Sequence, residues 1–226
     1  MRKRQQLSST KYLPHKLSVI VTVGGEVALQ SLNGANLISA ALSAAYQFCR
    51  ETSLSNRLYV ASKDSEALRV ATKDVSIDYL ELNCDPCNPS ELARAIEPLE
   101  FEMVAIHDAQ RPLTRSAQFH RTLEGLFGCD AVRPTMAFTE TLKVVNESSE
   151  LSYTIDRTKV RRISSPEIIR RTVIDFGGAE STWSLPLIKE ARLSEVEADP
   201  ESVRINSADE VTLMEAFLHW QQKIAK

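Results

Sequence analysis

An α/β fold on a mainly parallel, doubly wound sheet is predicted for this 226-residue chain by three observations. Continuous apolar, β-branched runs read as strands covered on both faces, segments of helical period take turns with them, and glycine, asparagine or proline punctuates the joins. Leu17–Val23 (LSVIVTV) is the first such run, ended by Gly24-Gly25. Leu37–Phe48 follows with Leu37, Ile38, Ala41, Leu42, Ala45 and Phe48 near helical spacing. The alternation continues with strands at Arg57–Ala61, Ile77–Leu82 and Phe101–Ile106, separated by helices at Asp64–Ala71 and Ser90–Ile96. From Ala131 to Ser165 the pattern changes to short extended pieces, Ala131–Met136, Thr141–Val145 and Tyr153–Ile155, around the turn-forming Asn146-Glu-Ser-Ser149. That is the pattern of a protruding β-hairpin. Helices are expected again over Glu167–Phe176 and around Thr182–Ala191. A last helix follows Val203–Ile205, where Ser207 caps it and Glu210 reaches back, with Val211, Met214, Phe217 and Leu218 on one face.

Composition narrows the function. A net charge of -3, with 25% charged and 43% hydrophobic residues, is that of an ordinary globule. It lacks the basic excess that non-specific nucleic-acid binding needs, so no polynucleotide partner is expected. Residues 17–226 read as one domain. The first sixteen residues, MRKRQQLSSTKYLPHK, carry five Lys or Arg and no acid, and read as a disordered basic arm. They have no apolar core of a secretory signal, and no later segment is long and apolar enough to span a bilayer, so cytoplasm is the expected location. The four cysteines then read as thiols. Cys84-Asp-Pro-Cys87 has metal spacing, but no histidine clusters near it, and no metal site is expected there.

Sheets of this class bind ligands at the carboxyl ends of their strands. His107-Asp-Ala-Gln-Arg-Pro112 stands at one such end. Glu140-Thr-Leu-Lys143, Thr154-Ile-Asp-Arg157 and Val203-Arg-Ile-Asn-Ser-Ala-Asp209 follow it in order. The four are similar to the His-Asp-Ala-Ala-Arg-Pro, Asp-Thr-Ile-Lys, Thr-Val-Asp-Arg and Ile-Lys-Val-Thr-x-Pro-Asp of the 2-C-methyl-D-erythritol 4-phosphate cytidylyltransferase family. The chain resembles that family from Leu17 to Leu218. Relatives acting on ribitol 5-phosphate share the architecture but usually carry an apolar residue in place of Lys143.

The resemblance implies a Rossmann-like, GT-A-like nucleotidyltransferase fold, and a homodimer locked by a β-arm at about Thr135–Ser164. It implies transfer of CMP from CTP, with Mg2+ bridging triphosphate oxygens, to a polyol phosphate. It assigns substrate contacts to Asp108, Arg111, Thr154, Arg171 and Arg204, with Thr154 and Arg171 reaching the partner subunit's site. Guanidinium forks suit phosphate, and a carboxylate and a hydroxyl suit a polyol. Singly, each has a plainer reading: Asp108 as a helix cap or partner of Arg111, Arg171 as a solvated helix charge.

On the nucleotide side the resemblance leaves Gly24, Gly25, Asp85 and Ser90. Val27 stands where the family's catalytic Lys belongs, and the loop Thr22–Gly34 holds no arginine. The family's Gly-Gly-x-x-Arg-x-x-Ser, which helps hold cytosine, is replaced by Asn83-Cys-Asp-Pro-Cys-Asn-Pro-Ser90, and Glu180-Ser-Thr182 replaces a Thr-Asp. Either another cation, Lys16 or the basic arm, supplies the missing charge, or the chain is a catalytically impaired homologue that binds a sugar phosphate or a protein partner. An oxidoreductase reading lacks the G-x-G-x-x-G spacing.

Overall fold

The computed structural model describes residues 16–32, 35–179 and 181–224. The expected basic arm therefore lies, except for Lys16, outside the described residues, as do Asn33, Gly34, Glu180 and the side chain of Phe217. The chain opens with β1 (Leu17–Thr22), a small antiparallel pair β2 (Ser31–Leu32) and β3 (Ala35–Asn36), and α1 (Leu37–Glu51). It continues through β4 (Asn56–Ser62), α2 (Ser65–Thr72), β5 (Leu80–Asn83), α3 (Pro89–Ile96), β6 (Met103–Asp108) and α4 (Ser116–Gly125). Next come β7 (Ala131–Ala137), β8 (Lys143–Val145), β9 (Leu151–Thr154), β10 (Arg161–Ile163) and β11 (Glu167–Arg170). The chain then passes through β12 (Leu193–Glu197) to α5 (Ala208–Ile224).

The main sheet runs β5-β4-β1-β6-β11-β7, with β10 and β12 also paired to β7. Strands β5, β4, β1 and β6 are parallel, whereas β11 runs antiparallel to both β6 and β7. All six residues of β1 are buried, as a continuous apolar run in a central strand must be. Leu17, Val19 and Val21 pack with Ile38, Leu42 and Phe48 of α1 and Phe119 of α4 on one face. On the other, Ile20 joins Val104, Ile106 and Ile169 beneath Leu92, Ala93 and Ile96 of α3. Period-two alternation thus builds two layers, with every parallel strand ending at the same edge.

Two expected helices are corrected. Glu167–Phe176 begins as β11 and continues as a 3-10 turn at Arg171–Val173. Ile168 and Ile169 point into opposite core layers, an alternation only a strand permits, and the free edge of β6 supplies its ladder. Thr182–Ala191 is irregular. Pro186 lies in its middle, and Ser181 Oγ accepts from Trp183 N at 2.9 Å and donates to Leu185 O at 2.7 Å. Those bonds compete with a helix, and the proline forbids one. Helix α4 and strand β12 are additional to the sequence reading.

The hairpin forms as expected. Lys143 faces Thr154 and Val145 faces Leu151. Asn146 Oδ1 accepts from Ser148 N and Glu150 N, and Ser149 takes φ 62° to close the turn. Val145, Leu151 and Tyr153 are exposed on it. At the far end of the chain, Ser207 Oγ caps α5 by accepting from Glu210 N at 3.2 Å. Glu210 reaches back to Asn206 N, one residue earlier than the capping-box pattern predicts. Among the described residues no helix is long and apolar enough to cross a membrane.

Candidate functional site

The carboxyl ends of β4, β1 and β6 lie side by side, with Thr22 flanked by Ala61 and Asp108. The chain crosses this edge as it leaves each strand, which is why the polar residues gather there. Asp108 is the last residue of β6. Its Oδ1 accepts from Gln110 N at 2.9 Å, and its Oδ2 meets Arg204 Nε at 2.7 Å and Arg111 Nε at 3.8 Å. Arg204 also donates from Nη2 to Gln110 Oε1 at 2.7 Å and from Nη1 to Asn206 Oδ1. Arg111 is almost wholly buried, and burial pushes its pKa down against the pull of Asp108. It donates to Ser202 O at 2.7 Å and Ile163 O at 2.9 Å, strapping two distant segments under the edge.

His107 lies just below. The ring is fully buried and edge-on to Phe119 at 5.0 Å, and its Nδ1 is 2.8 Å from Ser165 Oγ, which also accepts from Asp108 N. Burial drives its pKa down to about 4, so it is neutral at physiological pH and holds the strand end rather than moving protons.

On the nucleotide side the two glycines differ. A Cβ on Gly24 would stand 3.0 Å from Cys87 Sγ, which donates to Gly24 O at 3.3 Å. Glycine leaves this close approach unobstructed, whereas a Cβ would push the Cys87 side chain aside. Gly25 is extended, with φ 175°, and a Cβ on it would meet nothing. Val27 sits in a 3-10 turn, Glu26–Leu29, and packs against Leu37, Ile205 and Val211. The position expected to carry a cation is thus part of a small core. Asp85 Oδ1 accepts from Cys87 N, and its Oδ2 lies 3.9 Å from Lys63 Nζ. Lys63 immediately follows β4, so its amine belongs to the same edge. The Ser90 hydroxyl shares its proton between Gly178 O and Ala179 O, 2.7 and 3.1 Å away, and so holds that loop. The next loop is fixed by a buried ion pair. Arg133 meets Glu167 at 2.6 Å with its guanidinium 3.8 Å from the Trp183 ring, and Ser184 N donates to Glu167.

Within one chain the structure unites Asp108, Arg111, Arg204 and Gly24, with Asp85 nearby. It does not bring in the other expected contacts. Thr154 is on the exposed hairpin. Arg171 lies at the amino end of β6, where its N donates to Glu102 O and its guanidinium to Leu99 O and Glu97 O, between the rings of Phe101 and Phe176. Lys16 is also at that opposite edge, paired with Glu100, so it is not the substitute cation. Lys63 and Gln110 escaped the sequence reading, although a lysine directly after a strand of this sheet was a usable signal. Cys84 and Cys87 are free thiols. Burial pushes Cys84 up to about 11 and raises Cys87, so neither is a ready thiolate. Among the described residues no group of three or more His, Cys, Asp or Glu is placed to hold a metal. Beside Arg204 a cavity of about 660 Å3 opens between Val203, Pro200 and the Met214 face of α5.

The family model for 2-C-methyl-D-erythritol 4-phosphate cytidylyltransferase matches residues 89–218, more than half of the chain. The chain belongs to that family. A curated cytidylyltransferase from Saccharopolyspora erythraea is 25% identical over 126 residues, covering 53% of this chain and 56% of the relative. A bifunctional IspD/IspF enzyme of Oleidesulfovibrio alaskensis is 38% identical over 71 residues, 31% of this chain and 18% of that one. The chain thus matches about half or less of these relatives' length. Solved structures show the shared cytidylyltransferase fold. The 4-diphosphocytidyl-2C-methyl-D-erythritol synthase of Anaerococcus prevotii superposes with a TM-score of 0.69 at 16% identity, covering 91% of this chain and 99% of that one. The Thermus thermophilus cytidylyltransferase gives 0.67 at 17%, covering 89% and 98%.

Proposed function

We propose that the chain transfers CMP from CTP to 2-C-methyl-D-erythritol 4-phosphate or a related polyol phosphate, in isoprenoid biosynthesis by the non-mevalonate route. The observation that carries this is the Asp108–Arg111–Arg204 cluster, set by a family member at the carboxyl edge of its sheet. An acceptor phosphate takes the fork of Arg204, whose side chain is 38% exposed, and Asp108 takes polyol hydroxyls. Arg111 holds both in place from below. A phosphate oxygen of the acceptor then bonds to the α-phosphorus of CTP as the bond to the β-phosphate oxygen breaks, and pyrophosphate leaves. No protein nucleophile is needed, so the protein's work is placement and charge stabilisation.

The nucleotide lies over Gly24 and Gly25, where the missing side chain of Gly24 leaves room, with Lys63 supplying the cation that Val27 does not. Asp85 steers Lys63 and borders the base, and Ser90 acts by holding the 178–179 loop. Mg2+ suits this donor set as a chelate of the triphosphate: one carboxylate, Asp85, adjoins the Gly24 turn, and Mg2+ characteristically takes one or two carboxylates beside substrate phosphates and water. When bound it would neutralise triphosphate charge. Homodimerisation through the hairpin is supported by the exposed Val145, Leu151 and Tyr153, and would bring Thr154 and Arg171 to a partner's site. Charged, water-soluble substrates and free thiols fit a cytoplasmic enzyme.

The test is a steady-state assay of pyrophosphate release with CTP, Mg2+ and a panel of polyol phosphates. Release that depends on both substrates is expected. Binding of methylerythritol phosphate without any binding of CTP would sink the reading in favour of a non-catalytic homologue.

A further inference from the structure

Gln110 occupies the position where the family pattern quoted above has the second alanine of His-Asp-Ala-Ala-Arg-Pro. It is 4% exposed, yet every polar atom of its side chain is used. The segment that carries Arg204 is irregular and has no strand to lean on. Gln110 supplies the missing ladder from a single residue. Its carbonyl accepts from Ile205 N at 2.8 Å, and its Nε2 donates to Ile205 O at 2.6 Å. The remaining amide oxygen accepts from Arg204 Nη2 at 2.7 Å, and its own N is tied to Asp108 Oδ1. One side chain thus fixes both the backbone that bears Arg204 and the plane of its guanidinium. The Gln110 oxygen and Arg204 Nη2 also wall the space above Gly24, 3.8 and 3.9 Å from where its Cβ would be. A guanidinium fork is useful to a phosphate only in one plane, so orientation is the property that such a clamp would set.

We propose that Gln110 is a positioning residue that aims Arg204 at the acceptor phosphate, an inference that rests on the transferase reading. It acts through Arg204, its own polar atoms being taken up by Asp108, Arg204 and Ile205.

The experiment is a double-mutant cycle with Gln110→Met, which keeps length but removes both amide bonds, and Arg204→Met. In the wild-type background, Q110M should raise KM for methylerythritol phosphate about tenfold while KM for CTP moves less than about twofold. In the R204M background it should add almost nothing. Additive losses, or equal rises in both KM values, would overturn the proposal. Gln110→Glu keeps the acceptor facing Arg204 and should fall between wild type and Q110M. If Q110M does not fold, an E variant no better than R204M overturns the idea. A readout independent of turnover is hydrogen exchange at the Arg204 Nη2 protons, one of which Gln110 Oε1 accepts, expected to be slower in the wild type than in Q110M. If the wild type releases no pyrophosphate, the transferase reading fails, and this exchange still decides: unchanged rates in Q110M overturn the positioning role.

Discussion

Lys63 illustrates how much one side chain is asked to do at this edge. It stands beside the Gly24 turn with a long contact to Asp85, so its charge is available to a polyphosphate. Removing one preorganised cation from a developing charge typically costs about 100- to 1,000-fold in rate, and exposure of Lys63 places it at the low end. Lys63→Ala should therefore lower kcat/KM for CTP by about 100-fold and leave KM for the polyol phosphate nearly unchanged, as steady-state kinetics will show. His107 gives a prediction of a different kind. The unfolded chain binds a proton near pH 6.5 that the folded one, with its pKa at about 4, refuses. The contribution to stability is complete above about 6.5 and is lost as pH falls toward 4, by an amount on the order of 3 kcal/mol. Urea unfolding at pH 7 and pH 4.5 should show that decline in the wild type and a flatter one in His107→Gln, whose side chain has no proton to gain.

At the scale of elements, the site depends on irregular segments held by side chains. Arg111 carries the carbonyls of Ile163 and Ser202 and faces Asp108, so Arg111→Met leaves two carbonyls without this donor and removes one of the two arginines that face the carboxylate. A loss on the order of 3 kcal/mol is expected in denaturant unfolding, larger than a surface arginine would show. The first strand of this edge was legible because LSVIVTV is a nearly continuous apolar run rich in β-branched residues, as a doubly covered strand uses, and its neighbours were legible from their alternation with helical segments. Helix α4 was not, because its buried face is made of Ser116, Gln118 and Thr122 beside Phe119, so no apolar stripe marks it. Those polar groups face inward to serve the edge: Gln118 donates to Ser165 O and accepts from Asp199 N. The run Glu167–Arg170 was too short to tell period two from period 3.6, whereas Pro186 was visible and ruled out the helix drawn through it. Asp108, Arg111 and Arg204 could be read from motifs. Gln110 could not, because its role is a contact with Ile205, 95 residues away along the chain.

For the whole molecule, the hairpin offers Leu151 at 74% and Tyr153 at 64% exposure, the apolar surface through which the proposed homodimer would form. Leu151→Asp with Tyr153→Asp should shift a dimer to monomers in sedimentation velocity and remove most turnover, while the thermal midpoint of the subunit stays within a few degrees. The turn after β1 ties the two ends of the chain together, since Val27 rests on Ile205 and Val211. Placing lysine at that position would set a charge beside aliphatic side chains and loosen the footing of the C-terminal helix. A cation added at this position would therefore cost the molecule part of the join between its first loop and its last helix.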